Sequence, residues 1–341
     1  MVGIVLTLTF FLSGFFVLLT PLPLIYQFLQ RKGRAFVDVV IPCLILLGLL
    51  YFFGVGPLSR LYQVYPHLAW LLPVPGMNLL PESTLVLVAA SGLLNFSFFV
   101  AVAFLMAVVF NRQQQLTRLI GGGALFFFGI TVALLFCYAA FEQQSLFALL
   151  HQYYQEAAQN YFSLSAGNTN ADLPADKLAY LKENLPALVN YLVLFSPSLL
   201  YVLFLFILVL NLLLGHKFLS PLVPSLKTFS LNRWDLNFGW VWVVIGLVAL
   251  WLGNSMVWHQ PLLLALSANG LIVLFFVYFL KGLGLISFLM EQKRASPFIR
   301  FGVYALIFIL FQTLGFLVTG FGFFDSWFDF KGKLKGQKKG N

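Results

Sequence analysis

Charged residues are scarce in this chain: they make up 9% of its 341 residues, whereas hydrophobic residues make up 61%. Soluble domains contain roughly 25% charged and roughly 45–50% apolar residues. A water-soluble fold of this composition would expose large apolar patches, so the scarcity of charge excludes an ordinary soluble globular protein. Lipid accommodates such a surface. The sequence therefore predicts an integral membrane protein.

Patterns that carry chemistry are also missing. The two cysteines, Cys43 and Cys137, lie inside apolar runs without a metal-type partner at a useful spacing, which excludes a disulfide scaffold and favours buried free thiols. The sequence contains no H-E-x-x-H, no G-x-S-x-G and no phosphate-binding loop with its lysine. We therefore expect no enzymatic activity, no metal and no cofactor.

The formal net charge of +9 raises the question of nucleic-acid binding. The lysines and arginines fall mostly in short clusters between apolar runs, however, and no groove-reading or base-stacking motif accompanies them. Such clusters are typical of orientation signals and of contacts with anionic lipid. We expect membrane lipid, rather than nucleic acid, to be the partner of the basic loops.

Long apolar runs, in which Asp38 is the one charged residue, are the dominant feature of the chain. A helix needs about 20 apolar residues to cross roughly 30 Å of hydrocarbon. Continuous runs also indicate helices rather than the alternating strands of a barrel. The sequence thus predicts an all-α, polytopic transmembrane bundle of about eight spans. The runs are residues 1–30, 36–53, 85–110, 119–141, 188–214, 236–280 (two helices separated at Asn254 and Pro261) and 301–324.

We expect one integral membrane domain over residues 1–330 and a basic, flexible tail over 331–341. The longest polar interval, residues 142–182, begins with EQQSLFALLHQYYQEAAQNYF, whose apolar and aromatic residues recur at helical spacing. This predicts an interfacial helix followed by an exposed loop. The basic loops place this interval on the non-cytoplasmic side.

Eight crossings place the carboxyl terminus outside. The tail carries five lysines, which the positive-inside rule would place in the cytoplasm, so the two expectations conflict. Two regions could change the count or the orientation. One is the interval 56–81, which is rich in proline and aromatic residues. The other is the opening run, where Pro21 and Pro23 suit a bent or re-entrant hairpin. The side of the tail stays open.

Polar residues inside spans are candidates for a solute site, because they are costly in lipid. We single out Asn269 and Gln312, with interhelical hydrogen bonding as the alternative role. Lys281 is the one charged group in the tract FFVYFLKGLGLISFLM. Its ammonium either reaches the cytoplasmic interface along the protein surface or lines a polar cavity and meets an anion.

The closing stretch FFDSWFDFK sets two aspartates among aromatic residues. Trp327 suits an interfacial aromatic belt, and Asp325 is placed to cap a short surface helix. Asp325 and Asp329 are four residues apart and would share one helix face, where they could bind a cation or pair with a basic loop. A solvated helix end is the alternative.

Four stretches together resemble the uncharacterised YybS-like membrane proteins of bacteria. They are PLPLIYQFLQRKG, FSLNRWDLNFGW, NGLIVLFFVYFLKGLGLISF and FFDSWFDFK, at residues 21–33, 229–240, 269–288 and 323–331. That family is distantly similar to the substrate-binding membrane subunits of energy-coupling-factor transporters. The resemblance implies a multi-pass protein of the bacterial inner membrane, with a solute pocket that opens outward. It also makes Arg233, Asp325, Trp327 and Asp329 a candidate interaction motif.

The leading functional expectation is a solute-binding or transport subunit, which would need a protein partner for energy coupling because it has no ATP-binding site. The alternative is a structural or assembly factor that recruits other proteins through the basic loops and tail.

Overall fold

The computed structural model describes residues 1–13, 16–31, 34–64, 85–111, 116–167, 180, 182–222 and 236–336. These residues form helices and contain no strand, which confirms the all-α prediction. The helices are α1 (Val2–Leu12), α2 (Pro21–Arg31), α3 (Arg34–Val64), α4 (Leu85–Asn111), α5 (Leu116–Phe141), α6 (Leu146–Gly167), α7 (Leu185–Leu219), α8 (Gly239–Gly253), α9 (Pro261–Gln292), α10 (Pro297–Ile309), α11 (Phe311–Phe328) and α12 (Phe330–Gly336).

Several helices are long and apolar enough to cross a membrane. Four qualify among the described residues, and α10 with α11, which are bent by 113° at Leu310, can form a fifth. Shorter apolar helices lie in the first half of the chain. The total of about eight spans therefore stays a prediction. The four candidates are Ile120–Phe141, Leu185–His216, Gly239–Trp258 and Pro261–Gln292.

The surfaces of these helices are apolar. Large hydrophobic side chains such as Leu134, Phe136 and Trp242 are more than half exposed. In water such a surface would promote aggregation, whereas in lipid it is the expected outer face of a bundle. The exposure pattern therefore agrees with the membrane protein predicted from composition.

The chain divides into two compact units. The first comprises residues 1–129 and 204–229. Within it, α1 packs on α2 and α3, and α2 packs on α3 and α4. Phenylalanine rings fill its interior: Phe11 meets Phe96 edge to face at 5.2 Å, and Phe98 lies 5.3 Å from Phe127.

The opening run is broken within this unit, as Pro21 and Pro23 suggested. A 3₁₀ turn, Val17–Leu19, lies between α1 and α2. Each of these helices has 11 residues and spans only about 16 Å, which is too short to cross a bilayer alone. Asn211 donates its side-chain amide to the Leu18 carbonyl at 2.7 Å, so a main-chain group in the break is satisfied inside the protein.

The second unit comprises residues 130–203 and 230–341. Its helix α8 ends in a π-helical turn, Asn254–Trp258, and Pro261 begins α9. The Asn254 side-chain oxygen accepts a hydrogen bond from the Gln260 main-chain N–H at 2.7 Å, and His259 adopts the left-handed conformation. The predicted division of the 236–280 run at Asn254 and Pro261 is confirmed.

The helix predicted in the long polar interval is also present. Ser145 precedes α6, and its hydroxyl accepts a hydrogen bond from the Ala148 N–H at 3.2 Å, which is the geometry of a helix cap. Helix α6 then runs from Leu146 to Gly167. Short-range capping chemistry therefore places this helix where the amphipathic pattern predicted it.

Candidate functional site

Helices α9 and α11 approach each other backbone to backbone in the second unit. A side-chain carbon at Gly282 would collide with the Val318 carbonyl oxygen, and one at Gly322 would collide with the Tyr278 carbonyl oxygen. Glycine is the residue that permits so close an approach of two membrane helices. The contact brings the polar groups of both helices into one buried region.

Each of these two helices supplies one charge to that region. Lys281 is the only charged residue of α9 before Glu291, and Asp325 is the only one of α11. The Lys281 Nζ lies 3.6 Å from the Asp325 Oδ2, and the two side chains are 1% and 3% exposed. A buried ion pair is costly in free energy, because both ions lose their hydration. Ionisable groups inside a membrane domain are for this reason candidates for function.

The hydrogen bonds around this pair are incomplete. Lys281 Nζ donates to the Ser326 Oγ at 2.7 Å. In the part of the chain that the structure describes, Asp325 Oδ1 is buried without a hydrogen-bond partner. The buried Tyr278 hydroxyl lies near Ser326 but forms no well-aligned hydrogen bond there. We call Tyr278, Lys281, Asp325 and Ser326 the polar cluster. It retains spare capacity to bind a polar ligand or a proton.

Aromatic rings border the polar cluster. The Phe323 ring contacts Tyr278 edge to face at a centroid distance of 5.3 Å and lies 6.1 Å from Trp327. Trp327 in turn meets Phe238 edge to face at 6.2 Å. This apolar border lowers the local polarity, which strengthens each electrostatic interaction of the cluster.

The structure corrects two expectations about these charges. Lys281 does not reach the protein surface, so the expectation that its side chain extends to the cytoplasmic interface is wrong. It instead meets an anion of its own chain, which resembles the second alternative. Asp325 does not cap a surface helix either, because its carboxylate is buried against Lys281.

The capping role belongs to Asp329. Helix α11 ends immediately before Asp329, which has a left-handed backbone (φ 45°). Its Oδ1 accepts a hydrogen bond from the Gly332 N–H at 2.9 Å, in the first turn of α12. Asp325 is buried and Asp329 is exposed, so the two carboxylates do not share one face. An interaction role for Asp325, Trp327 and Asp329 stays a prediction, and Arg233 lies outside the described residues.

Asn269 forms hydrogen bonds with main-chain groups of α7 on both sides of Pro197. Pro197 lies inside that helix and supplies no N–H to it. The Asn269 amide nitrogen donates to the Leu194 carbonyl at 2.9 Å, and its oxygen accepts from the Ser198 N–H at 2.9 Å. This is the interhelical hydrogen bonding that the sequence left as the alternative. A solute-lining role for Asn269 stays a prediction.

Gln312 is exposed on the first turn of α11, 13 residues before Asp325. At a rise of 1.5 Å per residue the two positions are about 20 Å apart along the helix axis. The structure therefore does not bring Gln312 together with Lys281.

Sequence reasoning missed Tyr278 and Ser326. Tyr278 precedes Lys281 by three residues and so lies on the same face of α9. Ser326 follows Asp325 directly. Tyrosine and serine are common in apolar helices as weakly polar residues. The one signal in the sequence is that each lies next to a charged residue on its helix, Tyr278 beside Lys281 and Ser326 beside Asp325.

These observations define the protein as a helical, polytopic membrane protein with a buried ion pair between two closely packed helices. Residues 76–326 match the model of a family described as predicted membrane proteins (DUF2232), and the chain belongs to this family. The match extends over the whole polar cluster and ends at Ser326. No curated protein matches the chain, and no solved structure matches it.

Proposed function

We propose that this protein is a solute-binding or transport subunit whose functional centre is the polar cluster. The observation that carries the proposal is the fully buried Lys281–Asp325 pair, which has an unpartnered carboxylate oxygen on Asp325 among the described residues. A purely structural ion pair gains most when every lone pair is hydrogen-bonded. Spare acceptors beside a buried ammonium are better suited to a site that exchanges partners.

Interrupted helices support the proposal. The α10–α11 pair is bent by 113°, and α8 ends in a π-helical turn before α9. Transporters commonly place their solute and ion sites at such discontinuous helices, where main-chain groups become available. Helices α9 and α11, which hold the polar cluster, each adjoin one of these interruptions.

The YybS-like resemblance is in keeping with this role, since it implies a bundle similar to the substrate-binding subunits of energy-coupling-factor transporters. On this proposal the protein lies in the bacterial inner membrane, contacts anionic lipid through its basic loops and has no catalysis of its own. Energy coupling then requires a protein partner in the membrane.

A thermal-shift screen of the detergent-purified protein tests the proposal. The panel contains vitamins, nucleobases, amino acids and organic acids. A solute that binds only the folded state adds about 2.7 kcal/mol of stability at a hundredfold excess over its Kd. We expect at least one member to raise the Tm of the wild type and to have less effect on Tyr278→Phe, which removes one hydroxyl from the cluster. A flat screen on folded protein contradicts the proposal.

The assembly-factor alternative is favoured by one observation, the ordered C-terminal helix α12. It is capped by Asp329 and carries Lys331 and Lys333 beside further lysines of the tail. Removal of residues 330–341 separates the two functions. A solute-binding subunit keeps its thermal response after this truncation. An assembly factor instead loses membrane partners, measured as the loss of proteins co-purified after cross-linking, while changes in the polar cluster leave those partners in place.

A further inference from the structure

We propose that Asp325 is a proton-binding site and that the transport role proposed above is coupled to protons through it. The proposal deepens the proposed function, on which its physiological role rests. Proton binding itself is measured without any solute. The geometry that carries it is a buried carboxylate beside an ammonium, with one oxygen that lacks a partner among the described residues.

The Asp325 carboxylate is held weakly for a buried anion. Charge-assisted N–H···O bonds are typically about 2.7–2.9 Å long. The Lys281 Nζ lies 3.6 Å from the Asp325 Oδ2, whereas it donates a shorter hydrogen bond of 2.7 Å to the Ser326 Oγ. Oδ1 receives no hydrogen bond from the described residues, so its lone pairs are open to a proton.

A proton fits this site better than a metal ion. A metal ion needs several ligands, and in the described ranges no three His, Cys, Asp or Glu side chains lie close enough together to hold one. A proton needs only the free lone pair of Oδ1. It binds there without displacing a side chain from a site that is 3% exposed.

Proton uptake changes the charge of the Lys281–Asp325 pair. A proton from the aqueous phase forms an O–H bond with a lone pair of the Asp325 carboxylate, and Lys281 keeps its own proton. The pair changes from a net charge of zero to a net charge of +1. Lys281 is then no longer neutralised by Asp325, so a solute with an anionic group binds the protonated site more favourably. By linkage, such a solute and the proton favour each other's binding.

Few other ionisable groups occur on the described helices that pack around Asp325. Helix α8, which packs on α9, has no ionisable side chain. On α10, Arg300 donates to the Ala295 carbonyl at 3.1 Å, and Tyr304 is the second ionisable residue. Lys331 on α12 is buried and adds positive charge six residues beyond Asp325. On α9, the further ionisable residues are Tyr278 and Glu291, and Glu291 lies ten residues beyond Lys281.

Asp325 lies close to the end of its helix. Asp325 lies three residues before the end of α11, which corresponds to about 5 Å along the helix axis. The left-handed turn at Asp329 and helix α12 follow immediately. The buried carboxyl therefore lies near one end of α11 rather than at its centre.

Infrared difference spectroscopy of the full-length protein in nanodiscs tests the proposal. Spectra are recorded between about pH 9 and about pH 4, a range that includes the ordinary carboxyl pKa and values well above it. We expect a protonated-carboxyl C=O band that grows as the pH falls. Exposed carboxyl groups also take up protons near pH 4, so the signal of Asp325 is the part of the band that differs between the wild type and Asp325→Asn. The matched control Asp329→Asn, which changes the exposed cap, should retain that part.

The proposal is overturned if no band differs between the wild type and Asp325→Asn at any pH. If Asp325→Asn does not fold, Asp325→Glu keeps a carboxyl group and must shift the frequency of the same band. A positive infrared result with a flat solute screen would leave the proton site standing and contradict the transport role. A solute response without the band would contradict only the proton site.

Discussion

Lys281 and Ser326 lie 45 residues apart in the sequence and are joined by a hydrogen bond of 2.7 Å. This bond directs the ammonium of α9 toward the end of α11, where Asp325 provides the only charge of that helix. Two apolar helices thus place Lys281 and Asp325 together, inside the protein rather than in lipid.

Removal of either charge of the pair should strongly destabilise the protein. Lys281→Met and Asp325→Leu each leave the opposite charge buried without compensation, and we expect a loss of about 3–5 kcal/mol in the free energy of unfolding for each. The measurement is denaturant unfolding in mild detergent. Lys293→Met, at the exposed end of α9, is the control and should change stability by less than about 0.5 kcal/mol. Equal effects of the two lysine variants would refute a buried pair.

The contact between α9 and α11 should depend on Gly322. An alanine methyl group there would meet the Tyr278 carbonyl oxygen, so the two helices must separate. We expect Gly322→Ala to lower stability by about 1–3 kcal/mol, as overpacking does. Gly320→Ala on the same helix has open space and should be neutral or stabilising by up to about 1 kcal/mol, because alanine favours helix. If both variants melt at the same temperature, the backbones do not touch.

The link between Asn269 and the Pro197 break makes a prediction that a double-mutant cycle can test. Asn269→Ala leaves the Leu194 carbonyl and the Ser198 N–H of α7 unsatisfied, at a cost of about 1–3 kcal/mol. Pro197→Ala should reduce that cost, since a continuous α7 can close its own ladder. The free energies of unfolding of the four proteins give the coupling. Strict additivity would mean that Asn269 does not act on the proline break.

Asp329 should control the local order of α12. Asp329→Ala removes the side-chain cap and places alanine at a positive φ, so residues 330–336 should exchange their amide hydrogens faster, by about fivefold for a cost of about 1 kcal/mol. Asp329→Asn keeps an acceptor oxygen and tolerates the left-handed conformation, and it should behave as the wild type. Unchanged exchange in Asp329→Ala would show that the cap does not hold this helix.

Much of this fold follows from hydrophobic runs and proline positions. The break at Asn254 and Pro261 and the helix that begins after Ser145 are local effects of capping residues and proline chemistry, and the sequence predicts them. The bend at Leu310 is different, because the run 301–324 carries no proline or charge to mark it. The bend is consistent with the packing of α11 on α9. Such packing depends on residues that are distant in the sequence, so no local sequence pattern predicts it.

The candidate site is harder to predict than the fold for the same reason. Lys281 and Asp325 are each recognisable as charges in apolar surroundings, but a single sequence does not indicate that they pair. Asn269 is predicted to line a solute site, and the structure shows that it forms hydrogen bonds with main-chain groups of α7. Its role depends on Pro197, more than 70 residues away, which periodicity along one helix cannot reveal.

The most direct test of the account compares the wild type with the double variant Lys281→Met/Asp325→Leu, each melted with and without the solute panel. Replacement of a buried pair by apolar residues of similar size is often neutral or stabilising by about 1–4 kcal/mol, so the double variant should fold and melt at or above the wild-type Tm. If the pair is a functional centre, the solute that stabilises the wild type should have no effect on this variant. A double variant that responds to the same solute with an undiminished shift would contradict the account.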